Sequence, residues 1–293
     1  MFNFSPKNDA VIALSMNAGY TAQARQVLAG LHHHARWRGD YLLLCHDVPQ
    51  QELEWFSSRG VHIEHVPELF CNDHLPAVTF SRYVLFRESV RACWRTVIFL
   101  DLDILVRGEI SALTRLNRIG AVRGYKSTIR LNFVREKGPE LYARLDREFD
   151  LDLPAFNGGV MAFPTAMIAP DTFDRLCELT EQYLPISRFA NQGLLNLLFR
   201  GCWTELSPIY NAYVPTYIDR AGKLLRQDAR IIHFNGRDMK PWDASSVSYP
   251  QFSAEWSANL RAAEDIAYFS QCEDATEPEP EPEPERAAEC PMG

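Results

Sequence analysis

Residues 96–106 read Thr-Val-Ile-Phe-Leu-Asp-Leu-Asp-Ile-Leu-Val, and no other stretch restricts the fold as much. A β-branched, apolar run of this kind is a buried strand. It ends in two carboxylates one residue apart, Asp101 and Asp103. In open α/β sheets, ligands collect beyond the carboxyl ends of the strands. A D-x-D placed there can offer oxygen ligands to a divalent cation, and the cation can hold a phosphate-bearing molecule. Two aspartates after a strand also serve as plain turn chemistry. Here both flanks are apolar, and carboxylates in such surroundings need a counter-charge.

Upstream, strand signals fall at residues 11–16, 41–45 and 61–66, and helical spacing at 21–37, 50–58 and 78–93. Thr21 stands where it can cap the first helix. The order β-α-β-α-β-α-β makes an α/β fold, a mostly parallel central sheet flanked by helices. Downstream, the pattern predicts a helix at 109–117, a strand at 119–123, and a charged stretch at 124–154 with no clear period. A glycine-bearing strand follows at 156–163, where glycine marks close approach of a ligand or backbone. Helices at 171–183 and 191–199, a short strand at 230–234, a turn-rich segment at 235–242 and a last amphipathic helix at 253–269 complete the chain. Residues 1–272 read as a single domain. From 273 to 293 the composition turns to Glu-Pro repeats, an acidic tail expected to be disordered.

The chain has 293 residues and a formal net charge of −8. That balance speaks against nucleic acid as a partner. An anionic substrate then needs a metal or local basic groups to hold it. The seven cysteines are scattered and form no C-x-x-C, so neither a disulfide framework nor a zinc knuckle is expected. No signal peptide and no membrane span are expected, which makes a cytoplasmic setting the default. His32-His33-His34 falls inside the first predicted helix. Consecutive helical positions diverge, so it reads as a surface feature and not a metal site. Cys290, four from the end, lacks the context of a prenylation signal.

Four segments, taken in order between about residues 10 and 245, resemble the glycogenin-like, lipopolysaccharide-galactosyltransferase-like family of retaining glycosyltransferases. They are the first strand and turn at 11–20, the D-x-D stretch at 99–106, Phe156-Asn157-Gly158-Gly159-Val160, and Asn191-Gln192-Gly193-Leu194-Leu195-Asn196 followed by His233 and Lys240-Pro241-Trp242. The resemblance implies the GT-A (Rossmann-like) nucleotide-diphospho-sugar transferase fold. It also implies a Mn²⁺ ion, with Mg²⁺ compatible, and a UDP-sugar donor. The hexose, glucose or galactose, would pass to a glycan, lipid-linked or protein acceptor. Neither the acceptor nor the oligomeric state follows from it.

By the same resemblance, Asp101, Asp103 and His233 are the metal ligands, and Leu102 belongs to the donor-binding loop. Leu14, Ser15, Asn17 and Tyr20 form the uridine site, with Tyr20 stacking on the base. Arg82 occupies a basic position near the donor. Lys240 pairs with the diphosphate as a point charge, and Gly236 closes the His-Phe-x-Gly turn. Asn157 hydrogen-bonds the sugar while Gly158 and Gly159 let it approach. Gln192 sits beneath the anomeric carbon. Amides are weak nucleophiles, so front-face attack is favoured over a double displacement. The family has Asp where this chain has Asn191. That substitution keeps shape and loses charge, and it leaves a catalytically silent UDP-sugar binder as an alternative. One extra residue separates His233 from Lys240 compared with glycogenin. Tyr213 and Tyr217 lie near the self-glucosylated tyrosine of glycogenin without aligning to it. A phosphatase of the haloacid dehalogenase type also carries D-x-D after a strand, but near its N-terminus and with a later acidic pair.

Overall fold

The computed structural model describes residues 6–70, 77–219, 223–236, 239–243 and 249–269. The strands are β1 (Ala10–Met16), β2 (Asp40–Cys45), β3 (His62–His65), β4 (Thr96–Leu100), β5 (Ile104–Val106), β6 (Ile119–Thr128), β7 (Pro154–Pro164), β8 (Trp203–Glu205), β9 (Ala212–Tyr213) and β10 (Ile231–His233). The α-helices are α1 (Thr21–His33), α2 (Gln50–Ser57), α3 (Glu88–Arg91), α4 (Pro139–Glu148), α5 (Thr172–Tyr183), α6 (Asn191–Leu198), α7 (Val214–Tyr217) and α8 (Pro250–Ala262).

Seven strands form one sheet in the order β3-β2-β1-β4-β7-β6-β8. Only β7 runs against its neighbours; the other pairings are parallel. The predicted mostly parallel α/β sheet is therefore what the chain builds, with β7 as its antiparallel member. Alternation along the strands feeds a core on each face. Val11, Ala13, Val97 and Phe99 pack on one side, and Ile12, Leu14, Ile98 and Leu100 on the other.

The single strand expected over 96–106 is in fact two. β4 belongs to the large sheet, whereas β5 pairs with β10 in a second sheet of three strands, β5-β10-β9. The chain crosses from one sheet to the other on Asp101-Leu102-Asp103. Each side of the crossing is tied: the Asp101 N–H donates to the Gly159 carbonyl at 2.8 Å, and the Asp103 carbonyl accepts from the Phe234 N–H at 2.8 Å. An apolar run cannot reveal this split, because both halves are fully buried.

Other expectations shift for identifiable reasons. Residues 78–93 are a 3-10 run, Ala77–Phe86, followed by the single turn of α3. Tyr83, Val84, Leu85 and Phe86 are all buried, more than one face of an amphipathic α-helix can hide. Residues 109–117 hold only the 3-10 turn Ser111–Arg115. Thr21 does not cap α1; its hydroxyl donates to the Ala18 carbonyl at 3.1 Å and to Glu52. The helix ends at His33, before Arg36 adopts a left-handed φ of 49°. The unassigned stretch holds the end of β6 and α4, whose only buried residue is Leu145. Among the described residues no helix is long and apolar enough to cross a membrane. The Glu-Pro tail at 273–293 lies outside the described residues.

Candidate active site

The crossing between the two sheets brings three side chains together. The ligand atoms of Asp101, Asp103 and His233 all lie within 4.8 Å of one another. His233 Nε2 is 3.2 Å from Asp103 Oδ1 and 3.9 Å from Asp101 Oδ2. β10 delivers the imidazole, and its antiparallel register sets His233 opposite Ile104, directly after Asp103.

The ring of His233 is oriented from behind by a chain of amides. The Gly159 N–H donates to Asn157 Oδ1 at 2.9 Å, which identifies that atom as the oxygen. Asn211 Nδ2 donates to the same oxygen at 3.0 Å, so Asn211 Oδ1 is left to accept from His233 Nδ1 at 2.8 Å. Nδ1 therefore donates to Asn211, and Nε2 is the ring nitrogen turned toward the carboxylates. In the other direction, Asn157 Nδ2 donates to Gln192 Oε1 at 3.1 Å, and Gln192 Nε2 to Asn132 Oδ1 at 2.9 Å. Asn132 Nδ2 closes the chain on the Thr128 carbonyl at 3.0 Å. Asn132 and Asn211 are fully buried. Sequence reasoning missed both, since an isolated asparagine carries no sign of its distant partners.

Each aspartate has its own cation. Arg82 Nη2 donates to Asp101 Oδ1 at 2.6 Å while Nη1 donates to the Gly158 carbonyl at 2.7 Å. The guanidinium lies 4.0 Å above the Phe99 ring, which holds it in place. Lys240 Nζ donates to Asp103 Oδ2 at 2.5 Å and to the Phe234 carbonyl at 2.6 Å, so the extra residue after His233 does not keep it from the site. Burial pushes the Asp103 carboxyl up, but His233 and Lys240 outweigh that and hold it well below the usual carboxylate range.

The two glycines of β7 differ. A Cβ on Gly159 would stand 2.3 Å from His233 Cε1 and 2.7 Å from Asp101 Oδ2, so nothing larger fits there. At Gly158 the nearest atom would be Arg82 Nη1 at 3.5 Å, ordinary contact. Close approach is thus required of Gly159; Gly158 contributes its carbonyl to Arg82 and its N–H to Gln192 Oε1 at 3.3 Å.

Two cavities meet at Arg82 and Asp101. The smaller, about 240 Å³, is lined by Ser15, Asn17, Tyr20, Leu102, Asp103 and Lys240, among others. Ser15 Oγ and Asn17 Oδ1 are buried without a hydrogen-bond partner among the described residues. The larger, about 700 Å³, is lined by Asn157, Gly158, Gly159, Asn191, Gln192 and Gly236, among others. Leu14 lines neither; it packs inside the core. Asn191 is buried and donates through Nδ2 to the Thr79 carbonyl. Tyr213 is buried with its hydroxyl on the Arg123 carbonyl at 2.8 Å.

The sequence profile described as glycosyl transferase family 8 matches residues 11–246. The chain belongs to this family. Among curated relatives, galactinol synthase 7 of Arabidopsis thaliana is 24% identical over 211 residues, 67% of this chain and 62% of its own length. Glycosyltransferase GlyF of Streptococcus pneumoniae is 22% identical over 289 residues, 89% of this chain and 65% of its own. The family 8 chain thus spans less than two thirds of these relatives. Among solved structures, the galactosyltransferase LgtC bound to donor and acceptor sugar analogues superposes with a TM-score of 0.64 at 18% identity. That match covers 85% of this chain and 95% of LgtC. The bifunctional glycosyltransferase WbbM gives 0.64 at 17% identity, covering 90% of this chain and 52% of its own. The fold is GT-A.

Proposed function

We propose that this family 8 glycosyltransferase moves a hexose from a UDP-sugar to an acceptor hydroxyl and retains the anomeric configuration. The observation that carries the reading is the Asp101-Asp103-His233 group where two cavities meet. The donor set fits a divalent cation. Two carboxylates and one imidazole nitrogen converge, and the mixed oxygen and nitrogen ligands suit Mn²⁺, with Mg²⁺ also acceptable. When bound, such an ion neutralises charge that grows on the leaving diphosphate.

The smaller cavity is then the UDP site. Its unpartnered Ser15 and Asn17 oxygens await hydrogen bonds from the nucleoside, and Tyr20 offers an exposed ring for the base. Lys240 is a mobile point charge that can turn from Asp103 to the diphosphate. The sugar lies in the larger cavity over Asn157 and Gln192. Gln192 Oε1 is held by two N–H donors, which fixes it as a stationary partial negative charge beneath the anomeric carbon. The acceptor hydroxyl enters on the face from which the diphosphate leaves, and its proton passes to the departing phosphate oxygen. Residues 1–272 act as one catalytic domain with the Glu-Pro tail appended.

A silent donor binder is the second reading, and Asn191 is what favours it. One experiment separates the two: incubation with Mn²⁺ and a panel of UDP-sugars, read as slow hydrolysis to UDP. UDP-galactose is tried first, since LgtC is a galactosyltransferase, and UDP-glucose second. Hydrolysis of one sugar that stops on chelation is the expected outcome. Binding of UDP with no hydrolysis of any donor supports the silent binder instead.

A further inference from the structure

Beyond the metal group, the larger cavity opens under an irregular stretch of β6. Arg123 pairs with Phe156, and the next ladder partner is Thr128 with Pro154, so five steps along β6 face two along β7. Gly124, Tyr125, Lys126 and Ser127 are thereby lifted out of the ladder. Bulges of this kind re-aim side chains, and they are common beside active sites. Here Tyr125 and Lys126 are aimed into the cavity lining. Tyr125 is 71% exposed, an unusual position for a large aromatic side chain. Phe189, 40% exposed, lines the same cavity just before α6.

These rings have a use if a pyranose lies between them. The C–H face of a sugar carries partial positive charge and sits well on the negative face of an aromatic ring. Lys126 adds the selective element. Its ammonium lies 5.2 Å from the Tyr125 ring centroid. Among the described residues it has no ion-pair partner. Among the described residues the one acid lining the cavity, Asp101, is already bridged to Arg82 at 2.6 Å. In a chain of net charge −8 an uncommitted cation inside a cavity is not surplus from a basic surface. A neutral ligand closing over it would strand the charge, whereas an acidic one would pair with it.

We propose that the acceptor is a carbohydrate bearing an acidic group, phosphate or carboxylate, stacked between Tyr125 and Phe189 and paired with Lys126. This rests on the reading of the site as a glycosyl donor centre, since Gln192 and the acceptor wall share one cavity.

The test uses the full chain with Mn²⁺ and its UDP-sugar. Acceptors are offered in matched pairs: methyl galactoside against methyl galacturonide, and methyl glucoside against its 6-phosphate. The acidic member of at least one pair is expected to show kcat/KM about tenfold or more above its neutral partner. The excess should shrink as salt is raised. Lys126→Met should abolish the preference by raising KM for the acidic acceptor with little change in kcat, and Lys126→Arg should restore it. Tyr125→Ala should raise KM for both members. The phosphate and carboxylate pairs separate the two sources of charge. Equal use of both members, preference for the neutral one, or transfer to no member while UDP-sugar hydrolysis proceeds would each overturn the proposal. If hydrolysis itself is absent, the donor reading has failed. Calorimetric binding of the same pairs to protein loaded with Mn²⁺ and UDP then decides the acceptor question separately, with equal or absent binding counting against it.

Discussion

Gly159 shows how little space the ligand group leaves. A methyl there would intrude on both His233 and Asp101. Gly159→Ala is therefore expected to lower UDP-sugar hydrolysis by about a hundredfold or more, the usual result of displacing reacting groups by an ångström. Gly158→Ala should lower it less than tenfold. Steady-state rates on the two variants, with circular dichroism to confirm folding, check this; equal losses would refute the steric account. The acidic pair was legible as two carboxylates closing an apolar run, whereas His233 entered only through the family resemblance; the fold sets the three side chains together. Asn132 and Asn211 were not legible. Their role is to orient Gln192 and His233 through hydrogen bonds that span 60 and 22 residues, and no local pattern encodes such a link. Asn191 reads differently in three dimensions as well. Its amide donates to the Thr79 carbonyl, a contact an aspartate in its charged form could not make.

At the level of elements, β1, β2 and α5 follow directly from periodicity, because each buries a whole face or both. The D-x-D crossing, the 3-10 run at 77–86 and α4 do not. The crossing is decided by pairing with β10, the 3-10 run by burial on all sides, and α4 by a short Leu141-Tyr142-Leu145 stripe set in a long charged stretch. Away from the site, Asp40 at the start of β2 knots several elements together. It is 1% exposed, and its carboxylate accepts from Trp94 Nε1 at 2.8 Å, Asn8 Nδ2 at 2.8 Å and the Lys7 N–H at 3.0 Å, with His62 at 3.8 Å. Burial pushes this carboxyl up, but His62, Trp94, Asn8 and Lys7 together hold it down at about 2. A carboxyl whose folded value lies below its unfolded one stabilises the protein fully above the unfolded value. That contribution fades as pH falls toward the folded one. Between about pH 5 and 2 the chain should lose about 2 kcal/mol from this group. Asp40→Asn should be less stable at neutral pH and show a flatter acid limb in urea titrations. An unchanged limb would mean that Asp40 is not the group responsible.

Across the whole molecule, the chain passes between its two sheets at Asp101-Leu102-Asp103, and the proposed metal group is built around that crossing. The crossing supplies Asp101 and Asp103, the large sheet supplies Gly159, and the small sheet supplies His233. On the proposed reading, an ion held there would tie the crossing to the small sheet. Stability should rise with Mn²⁺ by mass action, since only the folded chain assembles the three ligands. The most direct measurement is calorimetric titration of UDP into the chain with and without Mn²⁺, repeated on Asp103→Ala. The account predicts that Mn²⁺ tightens UDP binding at least tenfold in the native chain and has no effect in the variant, which remains folded. Equal UDP affinity with and without the ion, or an undiminished effect of Mn²⁺ in Asp103→Ala, would contradict it.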